Sequence, residues 1–365
     1  MKILQISLSL GGGGAERIVT DLSNRLVTMC NHEVVILTIL DDRDPRNVLY
    51  MKALSPKVRV INLHCESGLQ AKALWGVFKT IKREKPSIVH NHFSPPLLLF
   101  PVFGLSDISY IQTIHNLPES LWRKYGLFKK MVSSYLYKTQ KIQPVTISPI
   151  CQQSYRRLYK VANDICIING SEPLKTTEAA KAVKAEIEEI KPSADTLVFI
   201  HVARHAPQKN HARLLDAFCR LEKDGYDFIL LVVGDNYGSL ADAYKDNKHI
   251  FFMGLKDNVG DYMAQADFFV LSSDYEGLPM TMLEAMSMGV IPISTPAGGV
   301  VDVIEDGKNG YITADFDEES FYQKIKQAIN EKGRISPETI KDDYEKSFSM
   351  KICAEAYYKA YQNNA

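Results

Sequence analysis

Two glutamates eight residues apart, Glu276 and Glu284, lie in the stretch S-S-D-Y-E-G-L-P-M-T-M-L-E-A-M-S-M-G at 272–289. The apolar run 268–271 before it predicts a buried parallel strand. Pro279 suits the first position of a helix and Gly289 suits its end. Glu276 then falls in the strand-to-helix loop. Glu284 falls about a turn into the helix, its side chain leaning back over Met280 and Thr281. The backbone amides around Gly277, Leu278, Met280 and Thr281 offer unpaired N–H groups at the positive end of a helix dipole, a place that suits a phosphate. Carboxylates repel an anion, but they accept hydrogen bonds from hydroxyl groups attached to it. The chemistry suggested is a diphosphate with a sugar on one side and a ribose on the other. Spacing alone leaves a plainer alternative open, a buried helix with one capping and one solvated glutamate.

Other residues in the chain could serve the same chemistry. The loop R-H-A-P-Q-K-N at 204–210 follows a predicted strand at 197–203, and Asn210 can cap the helix 211–221 after it. Arg204 can grip a phosphate with two parallel hydrogen bonds and Lys209 adds a point charge; taken alone, both read better as solvated surface cations. His92 ends one predicted strand and His115 another. Without carboxylate or cysteine partners they do not compose a metal site. The glycine loop at 10–17 reads L-G-G-G-G-A-E-R. A dinucleotide fold would place a third glycine where Glu16 stands, which argues against a dehydrogenase. Two D-x-D triplets, Asp42–Asp44 and Asp315–Asp317, read as solvated loops rather than as metal ligands.

These groups need a scaffold, and the composition of the chain supplies one. A length of 365 residues suggests two domains, each with its own core. No run of about 18 apolar residues and no secretory signal is present. The six cysteines, Cys30, Cys65, Cys151, Cys166, Cys219 and Cys353, form no C-x-x-C pair, which favours reduced thiols in a cytosolic protein. Formal charge is zero overall, yet residues 1–172 carry 22 basic against 12 acidic side chains and the remainder 21 against 31. A basic half suits anionic partners. Apolar runs at 3–7, 34–40, 58–63, 88–90, 109–113 and 145–147 alternate with helix-like stretches, as do 228–234, 250–254, 268–271 and 290–294 farther on. That alternation predicts open parallel sheets with helices on both faces, whose ligands bind beyond the strand C-termini. The acid-free, basic part of 121–141 interleaves lysines with Leu127, Phe128, Met131, Val132, Tyr135 and Leu136. It reads as a core-packed amphipathic helix or as a membrane-surface one.

The pattern E-G-L-P-x-x-x-L-E-A-M-x-x-G, continued by T-P-A-G-G at 295–299 and D-G-K-N-G at 306–310, resembles the E-x7-E signature of the family-4 retaining glycosyltransferases. Further resemblances cover nearly the whole chain in family order: G-G-A-E-R, the histidine tract ending in His115, Ile167–Gly170 (I-I-N-G), and the Arg204/Lys209 loop. Ser171 and Glu172 depart from the family's hydrophobic residue and aspartate after Asn-Gly. The resemblance implies a GT-B fold: α/β, two Rossmann-like domains facing each other across a cleft, with the C-terminal helix crossing back to the first domain. The implied boundaries are 1–172 plus about 350–365, and 173–349. It also implies retention of anomeric configuration with no metal and no other cofactor. Arg204 and Lys209 would take the donor diphosphate, Glu276 the sugar hydroxyls and Glu284 the ribose. Gly13, Gly14, Gly277, Leu278, Met280 and Thr281 would lie along the donor, with Leu255 against the base. His115 would stand at the transfer centre, with Glu16 and His92 on the acceptor side. The expected partners are a nucleotide sugar, a UDP-sugar first, and a glycan or lipid-linked acceptor, in surface polysaccharide or glycoconjugate synthesis. No nucleic acid is expected. Contact with an anionic membrane at the inner face of a cytoplasmic site is a further expectation. A nucleotide-sugar epimerase or hydrolase of the same fold, and a non-catalytic binding subunit, are the alternatives.

Overall fold

The computed structural model describes residues 1–29, 32–66, 71–92, 96–102 and 108–364; the side chains of Phe100, Pro101, Val102, Leu121 and Lys124 are not among what it describes, and Cys30 lies outside it. The chain divides into two compact units, Met1–Ser171 with Phe348–Ala365, and Glu172–Ser347.

The first unit alternates β1 (Lys2–Ser7), α1 (Gly14–Met29), β2 (Glu33–Leu40), β3 (Arg59–Cys65), α2 (Ala71–Glu84), β4 (Ile88–Asn91), β5 (Ser109–Ile114), α3 (Pro118–Lys124), α4 (Leu127–Lys138), β6 (Gln143–Thr146), α5 (Pro149–Tyr159) and β7 (Ile165–Cys166). The second holds α6 (Ala180–Ile190), β8 (Leu197–Val202), α7 (His211–Lys223), β9 (Phe228–Val233), α8 (Gly238–Ala243), β10 (Ile250–Gly254), α9 (Val259–Met263), β11 (Phe268–Leu271), α10 (Met280–Met288), β12 (Ile291–Ser294), β13 (Tyr311–Ile312), α11 (Glu318–Asn330) and α12 (Pro337–Ser347). The last helix, α13 (Met350–Asn364), returns to the first unit and packs against α1.

Every strand pair is parallel, in the orders β3-β2-β1-β4-β5-β6-β7 and β10-β9-β8-β11-β12-β13. Parallel strands covered on both faces must be apolar throughout, and β8 (LVFIHV) and β9 (FILLVV) are buried at every position. Phe199, Phe218, Phe228 and Phe268 pack together there, with the Phe199–Phe218 ring centroids 5.1 Å apart. Fully burying one such ring stabilises the unit by about 1.5–3 kcal/mol relative to leaving it exposed.

Strand order reverses between β1 and β4 in one sheet and between β8 and β11 in the other. At such a switch point the loops leaving adjacent strand ends diverge and open a crevice, so each unit has one favoured place for a ligand. The glycine loop and His92 follow β1 and β4; the Arg204–Asn210 loop and the Glu276 loop follow β8 and β11. Local boundaries differ from the sequence reading in instructive ways. Residues 121–141 fall in two helices rather than one, because Gly126 and Tyr125 adopt extended backbone between them. Pro279 is the N-cap of α10 and not its first residue.

Candidate active site

In the second unit the loop after β8 is stitched to the loop after β11. The Ser272 hydroxyl donates to the carbonyls of Lys209 and Asn210, at 2.8 and 3.1 Å, and the Asp274 amide donates to Gln208 O at 2.8 Å. The Arg213 guanidinium, on α7, donates to Ser272 O and to the Asp274 carboxylate, both at 2.8 Å. Asn210 adopts a left-handed conformation (φ 43°) and caps α7 by accepting from the Arg213 amide. These contacts fix Lys209 against Glu276: Nζ lies 2.6 Å from Oε1, and both side chains are largely buried. A charge-assisted pair in such surroundings is stronger than one on the open surface.

The T-P-A-G-G segment braces the same loop from the other side. Thr295 Oγ1 donates to Ser273 O, and the Gly299 amide donates to Gly277 O at 2.7 Å. Gly298 has φ +56°, and a Cβ there would overlap the carbonyl oxygen of Glu276. Only glycine allows both the backbone conformation and this approach.

Helix α10 starts directly after this loop, and its N-cap, Pro279, makes no side-chain capping bond. A helix start of this kind suits an anion, and the loop that carries Glu276 and its partner Lys209 leads into it. Met280 and Leu278 are buried, Gly277 is buried, and Thr281 and Glu284 are half-buried. Arg204 is exposed on the β8 loop and makes no ion pair among the described residues. The Leu255 side chain is 71% exposed beyond β10. The Gly234 amide donates to Gly254 O at 2.9 Å, which ties the β9 and β10 loops together. Beneath the Arg204 loop, burial keeps His201 and His211 neutral, at about 3 and about 4 respectively. They lie nitrogen to nitrogen at 3.2 Å, with Tyr237 completing the chain to Ala203 O.

In the first unit Gly13 and Gly14 open α1, and the Glu16 carboxylate folds back over Gly13. His92 and His115 come together beyond β4 and β5, Nδ1 to Nε2 at 3.0 Å with rings stacked. Burial pushes the His115 imidazolium down to about 4, so the ring is neutral near pH 7. The sequence reading placed His92 and His115 but not what stands behind them. Gln5, His90, Thr113, Tyr357 and Tyr361 form a continuous buried network with His92. Its signal in the sequence is faint: a glutamine and a threonine within apolar strands, and two tyrosines four apart on the last helix.

Both D-x-D triplets serve local structure. Asp44 caps a short helical turn and pairs with Arg46, and Asp317 caps α11. Among the described residues, Asp41, Asp42 and His64 are close enough to share a cation, with ligand atoms within 4.8 Å; Asp41 is already held by Arg43. Of the basic stretch in the first unit, Leu136 is buried and Val132 half-buried. Leu127, Phe128, Met131 and Tyr135 are 75, 70, 62 and 55% exposed along one side of α4. No helix among the described residues is long and apolar enough to cross a membrane.

Residues 12–170 match the Glycosyltransferase Family 4 family and residues 183–346 the Glycosyl transferases group 1 family. An uncharacterized glycosyltransferase of Methanocaldococcus jannaschii is 26% identical over 74% of this chain and 73% of its own length. The Escherichia coli UDP-Gal:alpha-D-GlcNAc-diphosphoundecaprenol alpha-1,3-galactosyltransferase is 26% identical over 72% of this chain and 71% of its own. Among solved structures, Anabaena HepE in complex with UDP-glucose superposes with a TM-score of 0.78 at 18% identity, covering 100% of both chains.

Proposed function

Since the chain belongs to the GT-B glycosyltransferases that join a family-4 domain to a group-1 domain, we propose that it transfers a hexose from a UDP-sugar to an acceptor hydroxyl with retention and without a catalytic metal. The observation that carries this reading is the contact of Lys209 with Glu276 in the loop that leads into the start of α10. The diphosphate sits on the α10 amides with Lys209 and Arg204. Glu276 accepts from sugar hydroxyls and Glu284 from the ribose. Leu255 borders the base, and Gly13 and Gly14 approach the donor. UDP is favoured as the nucleotide because HepE was solved with UDP-glucose and the E. coli relative is named for UDP-Gal.

In the unliganded pair Lys209 is partnered by Glu276. An incoming diphosphate competes for the ammonium, and the sugar hydroxyls take over the carboxylate. Donor binding thus exchanges one set of charge-assisted bonds for two. The acceptor oxygen attacks the anomeric carbon on the face the diphosphate leaves. The new glycosidic C–O bond forms as the C–O bond to phosphate breaks, and a diphosphate oxygen takes the acceptor proton. Lys209, Arg204 and the helix amides stabilise the charge that develops on the departing group. His115, neutral at working pH, meets the sugar or acceptor from the first unit, with Glu16 and His92 on the acceptor side.

The acceptor we favour is lipid-linked, at an anionic membrane face in the cytoplasm. Four apolar side chains exposed along α4, in a stretch whose charges are basic, suit shallow insertion between anionic headgroups. The name of the E. coli relative specifies a diphosphoundecaprenol acceptor, which agrees with this choice. A turnover screen across UDP-, GDP- and ADP-sugars, with and without EDTA, tests the reading. Acceptor-dependent release of UDP that survives EDTA is expected. Turnover abolished by EDTA and restored by Mg²⁺ or Mn²⁺ would contradict the metal-free assignment.

A further inference from the structure

The buried network behind His115 reaches the last helix, and the orientation of the Gln5 amide gives it a direction. A glutamine amide nitrogen can only donate, and its oxygen can only accept. Gln5 Nε2 donates to the Tyr361 hydroxyl oxygen (3.4 Å), while Gln5 Oε1 faces His92 Nε2 at 2.6 Å. That oxygen requires a proton on His92 Nε2, which leaves His92 Nδ1 bare. The bare nitrogen requires the proton on His115 Nε2, 3.0 Å away. His115 Nδ1 is then an acceptor; it has no partner among the described residues and is not sealed from solvent. On the other side, Tyr361 spends its one proton on His90 Nδ1 at 2.7 Å, and His90 Nε2–H continues to Thr113 and Tyr357.

Reversing the Gln5 amide would reverse every bond. His92 would carry its proton on Nδ1, and His115 would present an N–H in place of a lone pair. The two polarities differ in what His115 asks of a ligand: a hydroxyl donor in the first, an acceptor oxygen in the second. We infer that Tyr361 and Gln5 are positioning residues that fix His115 as the Nε2–H tautomer, so that its Nδ1 accepts a hydrogen bond from a hydroxyl of the bound sugar or acceptor. The clause about the hydroxyl rests on the proposed function; the tautomer does not. By this reading α13 returns to the first unit with a task beyond packing. Tyr361, 246 positions after His115, is the partner that holds the Gln5 amide, and the amide in turn sets which nitrogen of the His115 ring carries the proton.

Nitrogen-15 spectra of the histidine side chains in the full-length protein decide the matter, read together with UDP affinity and transfer rate. Wild type should show His115 protonated at Nε2 alone. Tyr361→Phe, which removes only the hydroxyl, and Gln5→Met should show both tautomers of His92 and His115. Transfer should fall roughly tenfold in both variants while UDP affinity holds, because the loss is one of orientation. Gln5→Glu should recover most of what Gln5→Met loses, since a protonated carboxyl repeats the donor and acceptor pattern of the amide. A single Nε2–H tautomer persisting in both Tyr361→Phe and Gln5→Met, or unaltered transfer in both, would overturn the inference. Full transfer by His115→Ala would instead overturn the placing of His115 at the substrate, and the tautomer spectra separate that failure from the first.

Discussion

At the scale of single residues, Lys209 and Glu276 share one ion pair but have different tasks, and substitution should part them. Lys209→Ala removes a cation from the leaving group and also strands a largely buried carboxylate. Transfer should fall on the order of 10²–10³. The midpoint of thermal unfolding should fall as well, because leaving one member of a buried pair alone is destabilising. Steady-state kinetics and a melting curve on one preparation check both; an unchanged rate would remove Lys209 from the site. Glu276→Gln releases Lys209 to the diphosphate, so affinity for free UDP should hold or rise while transfer drops. Glu284→Gln should weaken UDP binding, because its partner is the ribose. Isothermal titration would refute the division of labour if both variants lost affinity equally. The sequence marked these residues because their types and spacing are those of a known signature. It did not reveal that Lys209 and Glu276 touch, since that contact depends on Ser272, Asp274 and Arg213 joining two loops some 65 positions apart.

At the scale of elements, strands whose burial is complete were the easiest to read. β8 and β9 are nearly unbroken apolar runs and fall where the pattern predicts them. Short edge elements were harder: β7 and β13 have two residues each, too few to carry a period. The polar network of the first unit escaped altogether, because Gln5 and Tyr361 meet across 356 positions and no local pattern records that. A second cluster of this kind joins elements electrostatically. Glu84, at the end of α2, receives Arg59 of β3 at 2.5 Å and Lys2 of β1 at 2.9 Å. The Arg59 guanidinium, with Lys2 and Arg83 beside it, holds the Glu84 carboxyl down to about 2. Its folded value lies below the unfolded one, so its contribution to stability is fully present above about pH 4.5. It is lost as pH falls through about 2. Glu84→Gln should therefore be less stable than wild type at pH 7, with the deficit shrinking between pH 4.5 and 2. Urea unfolding at several pH values reads this directly, and a deficit independent of pH would assign the loss to packing instead.

At the scale of the whole molecule, the chain repeats one device in both units: a parallel sheet whose switch point aims two loops at one place. Alternation alone predicted parallel sheets with helices on both faces; the strand order, and with it the switch points, came only with the structure. The exposed side of α4 was legible only as a choice, since helical spacing is the same for a core helix and a surface one. The structure packs Leu136 and Val132 into the core and leaves Leu127, Phe128, Met131 and Tyr135 exposed. Anionic vesicles should sediment the protein at low salt and release it at high salt, and a Lys129→Glu, Lys130→Glu variant should bind less. Failure of wild type to bind even at low salt would favour a water-soluble acceptor. The central claim, retaining transfer from a UDP-sugar, is tested most directly by the anomeric configuration of the product, read by proton NMR during turnover with and without acceptor. An α-linked donor should yield an α-linked glycoside only when acceptor is present, with one UDP released per bond formed. An inverted product, or free or epimerised sugar formed at the same rate without acceptor, would contradict the account.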